Sequence, residues 1–378
     1  MRMKVKPFSL SIPFNTNPPS DWKDTWDVQL YVKVEDEEDY GWGETLVAGS
    51  GIINSYLSII NDIVIPILSK VELTEPTDVR TILEKILFSA GNCGVVSGAI
   101  SAVEMALWGL KARKSNVELT RLIGGKVRDS VKVYASFPRF GKIDYIIIAT
   151  RKSIERGFDL VKLHQSPSSV IDAVKAIRGN YKEVKIAIDL NSPFDNLDKA
   201  KEFVDKVHKY EIEWVEEPLW PPNDYDLLSK LTEFSPIPIA AGENEYSLYG
   251  FKKMIESGIT YLQPDIAKIG GVSKFLEILD LASKHKVRVL PHDRPDASPL
   301  SLIYTLNLGL VKSQIEMVEY TIADFPNDLF YSLPKFKDGY IYPSENPEVI
   351  EENIEKYGYK NRLRILHFSD LESKLTRK

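Results

Sequence analysis

Eight short apolar runs rich in β-branched residues recur along the chain between residues 131 and 320. They are VKVYAS (131–136), LVKLHQ (160–165), VKIAIDLN (184–191), IEWVEEP (212–218), IPIAAGEN (237–244), TYLQPD (260–265), VRVLPHD (287–293) and IEMVEY (315–320). Their starts lie 23 to 29 residues apart, and a helix-length segment fills each interval. Apolar runs of this length alternating with helical spacing predict parallel strands joined by crossover helices. The intervals fit: SPSSVIDAVKAIRG opens on Ser and Pro and closes on Gly, and DNLDKAKEFVDKVHKY has 3.6-residue apolar spacing. Eight such units point to an α/β fold, a closed TIM-like (β/α)-barrel, more than to an open doubly wound sheet. No GxGxxG follows the first run to support a dinucleotide fold.

Chemistry gathers at the C-terminal mouths of such strands. Those ends here carry Lys162 and His164, Asp189 and Asn191, Glu216 and Glu217, Glu243 and Asn244, Asp265 and Lys268, His292 and Asp293, and Glu319. A single charged strand end is ordinarily a solvated loop residue. Seven in succession on one face are a site.

The first 128 residues read differently. Residues 27–46 form a hairpin pattern with an acidic turn, and helical segments follow at about 51–70, 76–90 and 97–114. The expected organisation is an N-terminal α+β capping domain (1–128), a barrel (129–332) and a C-terminal tail (333–378) that packs on the cap. No long linker separates them, so tight packing is expected.

Composition narrows the partners. A net charge of −6 argues against a nucleic-acid partner, which would require a basic face. No run approaches the roughly 20 apolar residues that a membrane span needs, and the N-terminus does not read as a secretory signal. The lone Cys93 cannot pair within the chain and reads as a small buried residue rather than a nucleophile. A cytoplasmic protein acting on a small molecule is expected, as a homo-oligomer.

Asp189, Glu216 and Glu243 stand on three successive strands, since 216 − 189 and 243 − 216 are both 27. Three anions side by side at a barrel mouth repel strongly unless a cation joins them. Oxygen donors favour Mg²⁺, with Mn²⁺ as an alternative, and the absence of His or Cys at ligand spacing disfavours zinc. Salt bridging to barrel lysines is the plainer alternative. Asp265 and His292 lie one unit apart, and an aspartate beside an imidazole suits a general acid/base. On the other flank, strand alternation points Lys162 and His164 to the same side, into the mouth. His164 is either a second base or a structural histidine.

The segments ALWGLKARKSNVELTRLIGGKVRDSVKVYAS, VKLHQ, AIDLN, WVEEP, AAGEN, QPDIAKIGG and PHDRP, in this order, resemble the enolase superfamily in its mandelate racemase branch, and within it the acid-sugar dehydratases. The resemblance implies an enolase-type capped barrel, with Asp189, Glu216 and Glu243 as metal ligands and Glu216 favoured over Glu217. It implies an acid/base dyad at Asp265 and His292. Lys162 matches the first lysine of a Lys-x-Lys motif, and Glu319 the carboxylic acid that hydrogen-bonds the substrate carboxylate. Two positions stand apart. Asp265 occupies the place where cycloisomerases and dipeptide epimerases carry a catalytic lysine, and His164 replaces the second lysine of Lys-x-Lys. The tail also lacks the Gly-rich ending common in relatives.

The expected activity is Mg²⁺-dependent removal of the proton next to a carboxylate. Its first form is a hydro-lyase that turns an aldonate-type sugar acid into a 2-keto-3-deoxy acid. The alternatives are a racemase or epimerase of a 2-hydroxy acid on the same site and, more distantly, a non-catalytic sugar-acid sensor. The loop FNTNPPSDWKD (14–24) is expected to lie over the mouth, and Arg294 and Asp296 are candidates for contacts to distal hydroxyls.

Overall fold

The computed structural model describes residues 3–22, 27–47, 50–70, 75–294, 298–344 and 346–359. All eight apolar runs contribute strands: β4 (Val131–Phe137), β5 (Leu160–Leu163), β6 (Lys185–Asp189), β7 (Ile212–Glu216), β8 (Ile239–Ala241), β9 (Tyr261–Leu262), β10 (Arg288–Val289) and β11 (Val318–Thr321). They pair in parallel from β4 through to β10, and β11 returns to pair with β4. The remaining gap closes at a parallel bridge between Val289 and Ile315, where Val289 N–H donates to the Gln314 carbonyl at 2.9 Å. Closure leaves no sheet edge around the barrel.

Alternation along these strands builds the interior in layers. Tyr134, Leu160, Ala187, Trp214, Ala240, Tyr261, Leu290 and Met317, one from each run, form a single buried cluster. Large rings sit beside small alanines, and Trp214 packs against Tyr134 and Tyr261 at 5.2 and 5.5 Å between centroids. This is the floor of the mouth. Two residues further along the same runs come Ser136, Lys162, Asp189, Glu216, Gly242, Gln263, His292 and Glu319. Because the side-chain period of a strand is two, this next layer faces inward as well. The layer above an apolar floor is therefore almost wholly polar.

Before the barrel come β1 (Lys4–Ser11), β2 (Val28–Asp36) and β3 (Asp39–Leu46), an antiparallel meander. Strand β1 adds an edge to the expected hairpin and carries Pro7, which a sheet edge tolerates. The helix Gly94–Lys114 lies against β2 and β3. Its approach explains the glycines of YGWGE: a Cβ on Gly41 would sit 2.0 Å from the Ala106 carbonyl oxygen, and one on Gly43 2.1 Å from that of Ala102. By length and hydropathy this helix could cross a membrane, contrary to the expectation that no segment would. Yet 83% of its apolar window is buried inside the fold. Cys93, just before it, is exposed rather than buried, because the helix begins only at Gly94 and the preceding turn stands clear of the core.

The tail forms a hairpin of β12 (Lys335–Lys337) and β13 (Tyr340–Tyr342), and β13 adds antiparallel to the start of β4. Residues Glu351–Tyr357 then run beside β1, where Lys33 pairs with Glu351 at 2.5 Å. Residues 360–378 lie outside the described residues, as do Asp296 and positions 23 and 24 of the expected lid.

Candidate active site

Asp189 ends β6 and Glu216 ends β7; Glu243 follows β8 in the turn after Gly242. One carboxylate oxygen from each of the three lies within 4.8 Å of the others. Asp189 and Glu216 are buried and Glu243 is partly buried. Burial, followed by the neighbouring Asp189 charge, pushes the Glu216 carboxyl well above the usual range. Burial also opposes ionisation of Asp189, but Lys162 and His164 overcome it and hold that carboxyl low. The triad is thus short of positive charge, and its donors are all oxygen. A hard divalent cation fits this set.

Lys162 projects from β5 into the same layer and is completely buried. Its Nζ lies 2.7 Å from Glu216 Oε1, 2.9 Å from Glu319 Oε1 and 3.2 Å from Asp189 Oδ2. Burial alone would lower its pKa, yet these carboxylates raise it well above the ordinary value. The salt bridging weighed from the sequence is therefore real for two of the three carboxylates.

His164, two residues on, stands over Asp189 with Nε2 at 2.9 Å from Oδ2. Its other nitrogen lies 2.5 Å from the Phe137 carbonyl. A carbonyl can only accept, so Nδ1 carries the hydrogen and Nε2 faces the mouth. The ring is also wedged from the cap: Trp22 meets it edge-on with centroids 5.1 Å apart. Arg139, whose Nε–H donates to the His164 carbonyl at 3.2 Å, sits 5.7 Å over the Trp22 ring.

Across the triad, His292 Nδ1 hydrogen-bonds Asp265 Oδ2 at 2.8 Å, and Nε2 lies 3.0 Å from Glu243 Oε2. Burial pulls this imidazole down, but Glu243 and Asp265 outweigh it and push it up to about 10. Glu319, at the end of the last run, accepts from Ser136 at 2.5 Å and from the Asp293 amide at 3.2 Å. Lys162, His164, Asp189, Glu216, Glu243, Asp265, His292 and Glu319 thus lie in one mouth, and His164 and His292 flank the triad from opposite sides.

Two other members of the site, Ser136 and Trp214, were not singled out. Ser136 ends the first run and obeys the same alternation, so the signal was present there. Trp214 donates its indole N–H to Glu216 Oε2 at 3.1 Å. Asn244 bridges Glu217 at 2.8 Å and Glu243 at 3.0 Å, while Lys268 donates to its carbonyl at 2.8 Å. This ties Lys268 to the rim next to the triad. Arg294 is buried beyond His292.

Two family descriptions match the chain: Enolase C-terminal domain-like over residues 147–347, and Mandelate racemase / muconate lactonizing enzyme, N-terminal domain, over residues 23–124. The chain belongs to the enolase superfamily, in the mandelate racemase / muconate lactonizing enzyme branch, and is an enzyme. It is 26% identical over 355 residues to a D-galactonate dehydratase of Pectobacterium atrosepticum, covering 86% of this chain and 90% of that one. It is 29% identical over 284 residues to a D-galactarolactone cycloisomerase of Agrobacterium fabrum, covering 71% and 72%. Its fold matches the crystal structure of a 3,6-anhydro-D-galactonate cycloisomerase from Zobellia galactanivorans with a TM-score of 0.82. That match has 24% identity and covers 95% of this chain and 100% of the other.

Proposed function

We propose that this enzyme is a Mg²⁺-dependent acid-sugar dehydratase acting on an aldonate-type substrate. The observation that carries the reading is the placement of two imidazoles on opposite flanks of an all-oxygen carboxylate triad, one of them backed by an aspartate. Asp189, Glu216 and Glu243 would hold the cation, which when bound supplies positive charge to the substrate carboxylate.

The chain's own residues divide the remaining work. Lys162, fixed by three carboxylates, offers a second positive charge toward the substrate carboxylate, so that charge developing as the α-proton leaves is stabilised. His164 would accept the C2 proton at Nε2 once Asp189, its partner at that nitrogen in this structure, serves the cation instead, since Nδ1 is committed to the Phe137 carbonyl. His292, oriented through Nδ1 by Asp265, gives its proton to the 3-hydroxyl. The C2–H and C3–O bonds break, a C2–C3 double bond forms, and one water departs. The resulting enol tautomerises to the 2-keto-3-deoxy acid. In its protonated form Glu319 would donate a hydrogen bond to the substrate carboxylate.

The dehydratase named among the relatives supports this reading. The cycloisomerase relative and the two-sided arrangement keep a second reading alive, in which the flanking groups only move protons. Screening an acid-sugar library with Mg²⁺ for 2-keto-acid formation separates them. A keto product from a C5 or C6 sugar acid is expected. A product that keeps its 3-hydroxyl would move the enzyme to racemisation or cycloisomerisation, and inactivity across the library would overturn the acid-sugar assignment.

A further inference from the structure

The turn Asp265–Gly271 leads from β9 into the barrel helix Val272–His285. It is folded tightly on Asp265: Oδ1 accepts from the Ala267 amide at 2.7 Å, and the Asp265 carbonyl accepts from the amides of Lys268 and Ile269 at 3.0 and 3.1 Å. This leaves Oδ2 for His292. Anything that shifts the turn therefore shifts the aim of that oxygen.

The turn is held from the cap. Thr45 of β3 donates its hydroxyl to the Ala267 carbonyl at 3.1 Å. Ser101, on the cap helix Gly94–Lys114, accepts from the Gly270 amide at 2.7 Å. One helical turn later, Glu104 Oε2 accepts from Val272 N–H at 2.7 Å and Oε1 from Ser273 N–H at 2.9 Å. Trp108 braces the same carboxylate from behind, with its indole N–H 2.9 Å from Oε1. All three holding residues are essentially inaccessible to solvent.

The helix Val272–His285 has no capping side chain of its own, since Gly271 stands at that position with φ of 90°. A Cβ on Gly271 would lie 2.1 Å from Glu104 Oε2. A barrel helix has thus given up its own cap and receives a carboxylate from the other domain, at the place where unpaired amides and the helix dipole favour an anion. Generic adhesion between cap and barrel does not require four hydrogen bonds from three cap residues on the one short segment from Asp265 to Ser273.

We propose that Glu104, Ser101 and Thr45 are positioning residues for the Asp265–His292 pair, so that the cap sets the geometry of the barrel's acid/base group. The proposal rests on that pair serving the reaction as described above. Glu104→Gln keeps the size of the side chain but turns an amide NH₂ toward a backbone N–H, leaving one buried donor unpaired. The double variant Thr45→Val/Ser101→Ala loosens the same turn without touching the carboxylate.

Steady-state kinetics on Mg²⁺-loaded protein, with Mg²⁺ affinity and thermal midpoint measured alongside, test it. Both variants are expected to lower kcat by about 10- to 100-fold, the penalty for small misplacement of a catalytic group, with KM and Mg²⁺ affinity unchanged. A lowered midpoint with wild-type kcat would overturn the proposal, as would loss of Mg²⁺ binding, which would signal general damage to the mouth. Asp265→Asn separates the two levels of the argument. If it retains full turnover, the acid/base reading itself falls. If it is inactive while the clamp variants run at the wild-type rate, only the positioning role falls.

Discussion

Trp214 and Glu216 sit two residues apart on one strand, and the indole N–H of the first donates to the carboxylate of the second at 3.1 Å. The apolar floor of the barrel thereby reaches into the carboxylate layer above it. Partners of this kind orient ligands, and their loss typically weakens metal binding by about 10- to 100-fold. Trp214→Phe is expected to retain the fold and bind Mg²⁺ about tenfold more weakly by calorimetry.

The ligands themselves bear on charge rather than packing. Glu216→Gln and Asp189→Asn should each abolish Mg²⁺ binding and turnover while circular dichroism stays native. Full metal affinity with retained activity in either variant would remove the triad from the mechanism.

His292→Asn should eliminate product formation and leave Mg²⁺ affinity close to wild type, because His292 contacts Glu243 without belonging to the triad. An active His292→Asn enzyme would mean that another group protonates the leaving hydroxyl.

His164→Ala should still bind substrate but lose exchange of the C2 proton with solvent, followed as deuterium incorporation in heavy water. Wild-type exchange would make His164 a structural residue, held by Phe137 and Trp22 for packing alone.

The metal-stripped protein should lose stability as the medium becomes alkaline. The folded-state pKa of His292, pushed up to about 10, lies above its ordinary 6.5. Folding therefore favours the protonated ring. This contribution is fully present below about pH 6.5 and disappears as pH rises through about 10. Denaturant titrations across that window should show a decline in stability that is smaller in His292→Asn. An equal decline in both proteins would assign the effect to other groups.

The barrel and its mouth were legible in the sequence because strand alternation is local. Once VKIAIDLN and IEWVEEP are read with a period of two, Asp189 and Glu216 must share a side with Ala187 and Trp214. The contacts that place those residues were not legible. Thr45 meets Ala267, Ser101 meets Gly270 and Glu104 meets Val272 across more than 160 residues of chain. No periodicity encodes a hydrogen bond at that separation. Strand β1 was missed for a simpler reason: Pro7 interrupts a short run that only the neighbouring β2 makes into a strand. Cys93 was misplaced because composition records how often a cysteine is buried, whereas the turn before Gly94 decides this one.

The contact between Trp22 and His164 bears on how enzymes of this kind can be recombined. A cap moved onto a different barrel is usually pictured as a change of lid that leaves the catalytic core as it was. Here the cap supplies the ring that wedges one imidazole, so a chimaera that changes Trp22 also changes what holds His164 in the barrel mouth. Cap and barrel in this chain thus act as one unit at this point, because replacing Trp22 removes the ring that packs edge-on against His164.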